Sequence, residues 1–243
     1  MNKGLIFHSF DNNKNADQFY DIKLSEFIKL LDYLKKKSLQ EQVFITFDDG
    51  FKSTLKAIEE SLSRGFKTIA YIITDSINKD GFLNEEEIRY LKKIGCTIGS
   101  HTKSHANLKL LNHESFLEEL EHSKSILTKI INSEILDLSI PYGEENSKIL
   151  KEAKKYYKRI AISKPYFRDE NSIIGRISIH SSNHFKHHWI SKIISRKYDF
   201  SYTLKIYFIK ILKSIIPKKL YLKIKNYLSY KKSRDVFGNY FKY

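Results

Sequence analysis

Val43-Phe44-Ile45-Thr46-Phe47-Asp48-Asp49-Gly50 decides the reading of this chain. Five β-branched and aromatic residues, the length of a buried strand, run directly into two adjacent carboxylates and a glycine. Neighbouring aspartates repel, so a fold keeps them together only with something positive beside or between them. Asp-Gly is also an ordinary turn signal, and on its own the stretch reads equally well as a strand followed by an acidic turn. A second stretch shifts that balance. Cys96-Thr97-Ile98-Gly99-Ser100 is another short strand pattern, and it leads into His101-Thr102-Lys103-Ser104-His105. Histidines four apart present both imidazoles on one face if the segment turns helically. Both polar clusters follow the C-terminal end of a strand, the edge on which parallel α/β folds build their chemistry. Two imidazoles and one carboxylate leave a tetrahedral metal one open position, which is a catalytic arrangement and not a structural one.

Outward from these stretches the chain alternates strands and helices. Strands are expected at Leu5–Phe7, Val43–Phe47, Thr68–Ile73, Cys96–Ile98, Leu136–Ile140, Arg159–Ile162 and Ile173–Ile179. Between them, Phe27, Ile28, Leu31 and Leu34 fall at helical spacing, and Ser53–Ser63 and Ser147–Tyr157 read as helices. Asn84 before Glu85, Glu86 and Glu87 is an N-cap with an acidic first turn, opening a helix to Lys93. His113–Ile131 is a long amphipathic helix with Phe116, Leu117, Leu120, Leu127 and Ile131 inward. Helix-length crossovers between strands imply a parallel sheet and a barrel-like closure.

Composition bounds the rest. The chain has 243 residues and a single cysteine, Cys96, so no internal disulfide can form. No apolar run reaches membrane-spanning length. Behind Lys3 there is no apolar segment of signal-peptide length, so the expected location is cytoplasmic. The net charge of +15 is concentrated at one end: residues 186–243 carry 15 Lys and Arg against 2 Asp and Glu, whereas residues 1–185 carry 28 against 26. The expected organisation is therefore a catalytic domain over 1–185 and a basic, amphipathic helical extension over 186–243. Within 203–229, Leu204, Tyr207, Phe208, Ile211, Leu212, Ile215 and Ile216 share one arc in helical projection, with Lys210 and Lys213 opposite and Pro217 as a break. That pattern suits the surface of an anionic membrane, on its inner face, or a helical layer docked on the domain.

Thr46-Phe47-Asp48-Asp49-Gly50 and His101-Thr102-Lys103-Ser104-His105, in this order and roughly fifty residues apart, resemble the polysaccharide deacetylases of the NodB-homology type. Ser139-Ile140-Pro141-Tyr142-Gly143 is similar to that family's third motif, and Ile6-Phe7-His8-Ser9-Phe10 to its histidine-bearing first strand. The resemblance covers about residues 1–180. It implies a distorted (β/α) barrel of about seven parallel strands, and a divalent metal, zinc before cobalt or nickel, held by Asp49, His101 and His105. It further implies Asp48 as the base that accepts a proton from water, and the backbone N–H of Tyr142 as oxyanion donor, since Pro141 has none to give. The family's third motif often begins with an arginine that pairs with the base; Ser139 stands there, and Arg176 is the candidate substitute. A leucine-flanked histidine on the last strand often serves as acid, and here His8 and His180 are the candidates, with His184, His187 and His188 further on.

The activity implied is removal of acetyl groups from N-acetylated sugars, free or lipid-linked, in surface polysaccharide or glycoconjugate synthesis; O-deacetylation would use the same site. The alternatives are a degenerate, saccharide-binding member without turnover and a nucleic-acid-binding protein acting through the basic tail. No nucleic acid is the expected partner, because the lysines are interleaved with aliphatic residues and form no nucleic-acid module.

Overall fold

The computed structural model describes residues 3–164 and 172–181. Seven strands close into an all-parallel barrel: β1 (Lys3–Phe7), β4 (Val43–Phe47), β5 (Lys67–Ile72), β6 (Thr97–Ser100), β7 (Asp137–Ser139), β8 (Arg159–Ile162) and β9 (Ile173–Ser178), with β9 pairing back onto β1. A second, two-stranded parallel pair joins β2 (Ser9–Phe10) to β3 (Asp21–Ile22). The expected barrel of about seven strands is the observed one. The basic extension expected over 186–243 lies outside the described residues, as do His184, His187 and His188.

The strands carry near-continuous apolar sequence because both their faces are covered. On one face Ile69, Tyr71 and Ala161 pack with Ile174. On the other, helix α1 (Leu24–Lys36) sets Phe27 edge-on against Phe7, centroids 4.7 Å apart, and against Phe47 at 5.8 Å. Helices α2 (Leu55–Ser63), α3 (Glu85–Lys93), α4 (His113–Ile131) and α5 (Ser147–Ala153) complete the crossovers. Asn84 and Glu87 form a reciprocal capping box on α3, the cap its sequence announces.

Three expectations are corrected. Helix α2 begins at Leu55, because Lys52–Thr54 make a 3-10 turn first. Helix α5 stops at Ala153 instead of Tyr157: the Tyr157 ring is buried and its hydroxyl donates to the Leu120 carbonyl at 2.7 Å, which draws the chain inward. On α4, Leu117 and Ile131 are only half-buried, while Glu119 and Ser123 are buried. The polar residues win those positions because the loop beyond β6 needs their hydrogen bonds.

Candidate functional site

The C-terminal ends of β1, β4, β6, β7 and β9 converge, and each delivers one or more of the residues singled out by sequence. Asp48 and Asp49 follow β4 directly. Asp49 and Gly50 both take left-handed backbone, φ 73° and 79°, and both carboxylates approach His101 Nε2, Asp48 Oδ2 at 3.7 Å and Asp49 Oδ1 at 3.5 Å. At Gly50 an added Cβ would stand 3.3 Å from two atoms of the Ile72 side chain.

His101 and His105 lie together, ring centroids 4.7 Å apart, but not on a helix. Thr102 and His105 sit at φ 66° and 63°, which a right-handed helix does not allow. Hydroxyls hold this loop: the Thr102 N–H donates to Ser100 Oγ at 3.0 Å and the His105 N–H to Thr102 Oγ1 at 3.2 Å. From α4, the buried Glu119 carboxylate accepts from the Ser104 N–H at 2.9 Å and from Ser104 Oγ at 2.5 Å. Left-handed non-glycine residues cost energy and persist where surrounding contacts enforce them. Asp49, Thr102, His105 and Tyr142 (φ 59°) all belong to this site.

Asp49 Oδ1 lies 3.5 Å from His101 Nε2 and 3.6 Å from His105 Nε2. The three donor atoms fall within 4.8 Å of one another. Two ligands at about 2.1 Å from a tetrahedral ion stand about 3.4 Å apart, so the observed spacing fits a divalent metal. The protonation states fit as well. His101 Nδ1 lies 2.9 Å from the Ser139 carbonyl, which can only accept, so Nδ1 carries the proton and Nε2 presents a bare lone pair. Burial pushes His101 down to about 3 and also lowers His105, keeping both imidazoles neutral. Burial, then the neighbouring Asp48 charge, push Asp49 up to about 7.

Asp48 is governed differently. Burial alone would raise its pKa, but the Arg176 guanidinium prevails and holds it well below the usual carboxylate range. Arg176, fully buried, donates from Nη1 to Asp48 Oδ1 at 2.7 Å and from Nη2 to Asp48 Oδ2 at 2.9 Å, a bidentate pair. It also donates to Thr46 Oγ1 at 3.1 Å and Ser139 Oγ at 2.7 Å, and its guanidinium lies 4.9 Å over the Tyr71 ring. Arg176 therefore occupies the position by the first aspartate that Ser139 leaves without a cation.

Residues 34–161, more than half of the chain, match the polysaccharide deacetylase family. The chain belongs to that family. A relative in Bacillus subtilis, YxkH, itself named as a polysaccharide deacetylase, is 31% identical over 121 residues, 49% of this chain and 43% of that protein. The chain thus spans less than half the length of that curated relative. Among solved structures, a Bacillus cereus polysaccharide deacetylase aligns over 79% of this chain and 68% of its own, at 24% identity and a TM-score of 0.68. The Streptococcus pyogenes deacetylase PplD, solved in complex with acetate, covers 80% of this chain and 98% of its own, at 17% identity and a TM-score of 0.69. At those identities the structural likeness shows a shared fold.

The remaining family positions are placed as follows. Tyr142 leaves its ring exposed and 4.6 Å from that of His105, so the Pro141-Tyr142-Gly143 turn borders the metal-ligand cluster. His8 follows β1 and packs on Tyr20 at 4.5 Å; its buried Nδ1 has no hydrogen-bond partner among the described residues. Burial lowers His8 to about 4, with the charges of Asp48, Arg176 and His105 all felt there. His180 stacks on Phe19 at 4.1 Å, and burial, with His8 nearby, lowers it to about 4. Sequence reading missed Gly4, Glu119 and the bridging hydroxyl of Ser139. For Gly4 a signal existed, since a glycine inside a strand pattern marks a close approach. For the other two there was none.

Proposed function

We propose that the chain is a metal-dependent hydrolase that removes acetyl groups from N-acetylated sugars. One observation carries the reading: Asp49, His101 and His105 are spaced and protonated as metal ligands beside a second carboxylate, Asp48, that an arginine keeps ionised. Zinc best suits two imidazoles and a carboxylate, with cobalt and nickel next. Such an ion would polarise the acetyl carbonyl and acidify water. Asp48 accepts the proton of the attacking water; its pairing with Arg176 keeps it charged at the expense of basicity. The N–H of Tyr142 is the donor assigned to the developing oxyanion, and His8, neutral and within the field of Asp48 and His105, relays to the departing amine the proton that Asp48 took from water.

Two further features support this reading. A relative of the same fold was solved with acetate, the product such a reaction releases. The non-catalytic alternative rests on Ser139 in place of an arginine and on the lack of a leucine-flanked histidine as acid; Arg176 answers the first by supplying the cation. The basic sequence of 186–243 supports action at an anionic membrane surface on the cytoplasmic side, on lipid-linked sugars in polysaccharide or glycoconjugate synthesis.

The test is acetate release from N-acetylated oligosaccharides, before and after chelation and on return of zinc, cobalt or nickel. Chelator-sensitive release is expected. Stoichiometric metal and saccharide binding without release would favour the non-catalytic reading. Salt-sensitive binding of RNA or DNA in place of saccharide would favour the nucleic-acid reading.

A further inference from the structure

Ser139 is bonded in two directions. Its carbonyl accepts from His101 Nδ1 at 2.9 Å, and its hydroxyl lies between the two members of the buried ion pair. Arg176 Nη2 donates to Ser139 Oγ at 2.7 Å, and that hydroxyl, left with one proton, donates it to Asp48 Oδ2 at 3.1 Å. Asp48 Oδ2 is the oxygen on the metal-ligand side, 3.7 Å from His101 Nε2. The hydroxyl therefore bonds the oxygen nearest the place where water would react.

The guanidinium depends on this arrangement. Among the described residues Arg176 Nε is buried without a hydrogen-bond partner, and they hold the group through its two Nη atoms and the Tyr71 face. Nη2 has two acceptors, Asp48 and Ser139. A carboxylate paired to one guanidinium can swing with it as a unit. Thr46 Oγ1 anchors Nη1 to β4 but does not touch the carboxylate. The Ser139 hydroxyl, on β7, bonds both Nη2 and Asp48 Oδ2 and so fixes the plane of the pair from the other end.

Building on the deacetylase reading, we propose that Ser139 is a positioning residue: its hydroxyl sets the orientation of the Asp48 carboxylate by tying it and Arg176 to β7. A serine at the start of the third motif is then a working part of a base whose cation arrives from another strand.

Full-length Ser139→Ala removes the hydroxyl and leaves the carbonyl on His101 in place. Its kcat should fall roughly ten- to hundredfold, the scale of a misplaced reacting group, with KM within about twofold. Bound zinc should stay stoichiometric, and Ser139→Thr, which keeps a hydroxyl on a residue suited to strands, should recover most of the rate. Ser139→Cys, nearly isosteric and a poor donor, repeats the comparison if the alanine variant does not fold.

A second readout does not depend on turnover. In protein labelled with 15N-arginine, the Nη protons of Arg176, assigned by their loss in Arg176→Lys, should exchange slowly in the wild type and in Ser139→Thr. They should shift and exchange faster in Ser139→Ala. An unchanged kcat in Ser139→Ala overturns the proposal, as does a threonine variant as slow as the alanine one. Loss of zinc together with rate also overturns it, because Ser139 would then act through His101. If the wild type releases acetate from no substrate, the deacetylase reading fails, and unchanged Arg176 signals in Ser139→Ala would separately overturn the positioning role.

Discussion

Gly4 and Arg176 are register partners across the β1–β9 pair, and the arginine stem fills the space in which a side chain at position 4 would lie. A Cβ added to Gly4 would stand 2.4 Å from Arg176 Cγ and 3.0 Å from Cδ. Here the glycine provides room, not conformational freedom. The guanidinium reaches Asp48 from inside the barrel because β1 yields that space.

Gly4→Ala should therefore act on the site through Arg176, from the end of β1 away from His8. Overpacking a buried position costs about 1–3 kcal/mol, and displacement of Arg176 would loosen its hold on Asp48. Urea denaturation should show the lower midpoint with an unchanged slope, and acetate release should fall in parallel. A variant with wild-type stability and rate would show that Arg176 does not need the gap.

The two adjacent aspartates should separate cleanly on amide substitution. Asp48→Asn keeps a side chain of the same shape but cannot accept a proton from water, so turnover should fall by two to four orders of magnitude, roughly the usual contribution of a general base. Zinc should remain bound. Asp49→Asn should lose zinc and activity together. The reverse pattern, measured by metal analysis beside acetate release, would mean that the two roles are exchanged.

Much of this site was legible because it is local in sequence. Val43–Phe47 running into Asp48 and Asp49 announces a strand, and the His101–His105 spacing after a second strand turns its acidic end from an ordinary turn into a candidate site. The conformation of that second segment was not legible. Spacing four suggests a helical turn, whereas hydroxyl bonds to Ser100 and Thr102 and left-handed backbone at His105 bring the rings together by another route. Helix α4 misled for a related reason. Hydrophobic periodicity places Phe116, Leu120 and Leu127 in the core, as found, but it also nominates the half-buried Leu117 and Ile131 and passes over Glu119 and Ser123, which are buried and serve the β6 end. Gly4 meets Arg176 through the β1–β9 pairing, and Thr46 and Ser139 meet it across the barrel interior from strands that do not pair with β9; no periodicity in one strand records what the others bring. The β2–β3 pair, two residues each, is too short to show a period at all.

Metal affinity should depend on pH through Asp49. Burial and Asp48 push its carboxyl up to about 7, while burial lowers His101 to about 3 and also lowers His105. Metal binds the ionised carboxylate, so a proton competes below about pH 7 and not above it. The apparent association constant should drop about tenfold for each pH unit between roughly 6.5 and 5, with about one proton released per metal bound. Calorimetry in buffers of different ionisation enthalpy counts that proton. An affinity flat from pH 5 to 8 would show that Asp49 is ionised without metal.

The lysines of 203–229 carry the proposed membrane association. Each basic residue near an anionic surface contributes roughly 1 kcal/mol, so several together dominate any single contact. Wild-type protein should co-sediment with vesicles containing phosphatidylserine, less so as salt rises, and should leave neutral phosphatidylcholine vesicles in the supernatant. Reversing Lys210, Lys213, Lys218 and Lys219 to glutamate should abolish sedimentation and leave acetate release from a soluble oligosaccharide unchanged. Equal sedimentation of that variant would remove the basic cluster from the interaction.

Glu119 offers the last test, because it reaches the metal-ligand loop from a different element. Its carboxylate accepts from both the N–H and the hydroxyl of Ser104, the residue before His105. Glutamine can accept from the Ser104 N–H and, with the hydroxyl turned round, donate to Ser104 Oγ, but both bonds lose their charge; alanine loses both bonds. The His101 N–H stays on the Ile72 carbonyl at 2.8 Å in either variant, so the two histidines should respond unequally. His101 should hold its place while His105 loosens. Outer contacts of this kind are typically worth ten- to hundredfold in metal affinity, roughly, and Glu119→Ala should weaken zinc binding on that scale, with Glu119→Gln in between. Hydrogen exchange should quicken at Ser104 and His105 and remain slow at His101. Wild-type zinc affinity in Glu119→Ala would mean that the left-handed turn at Thr102 and His105 is held by the Ser100 and Thr102 hydroxyls alone.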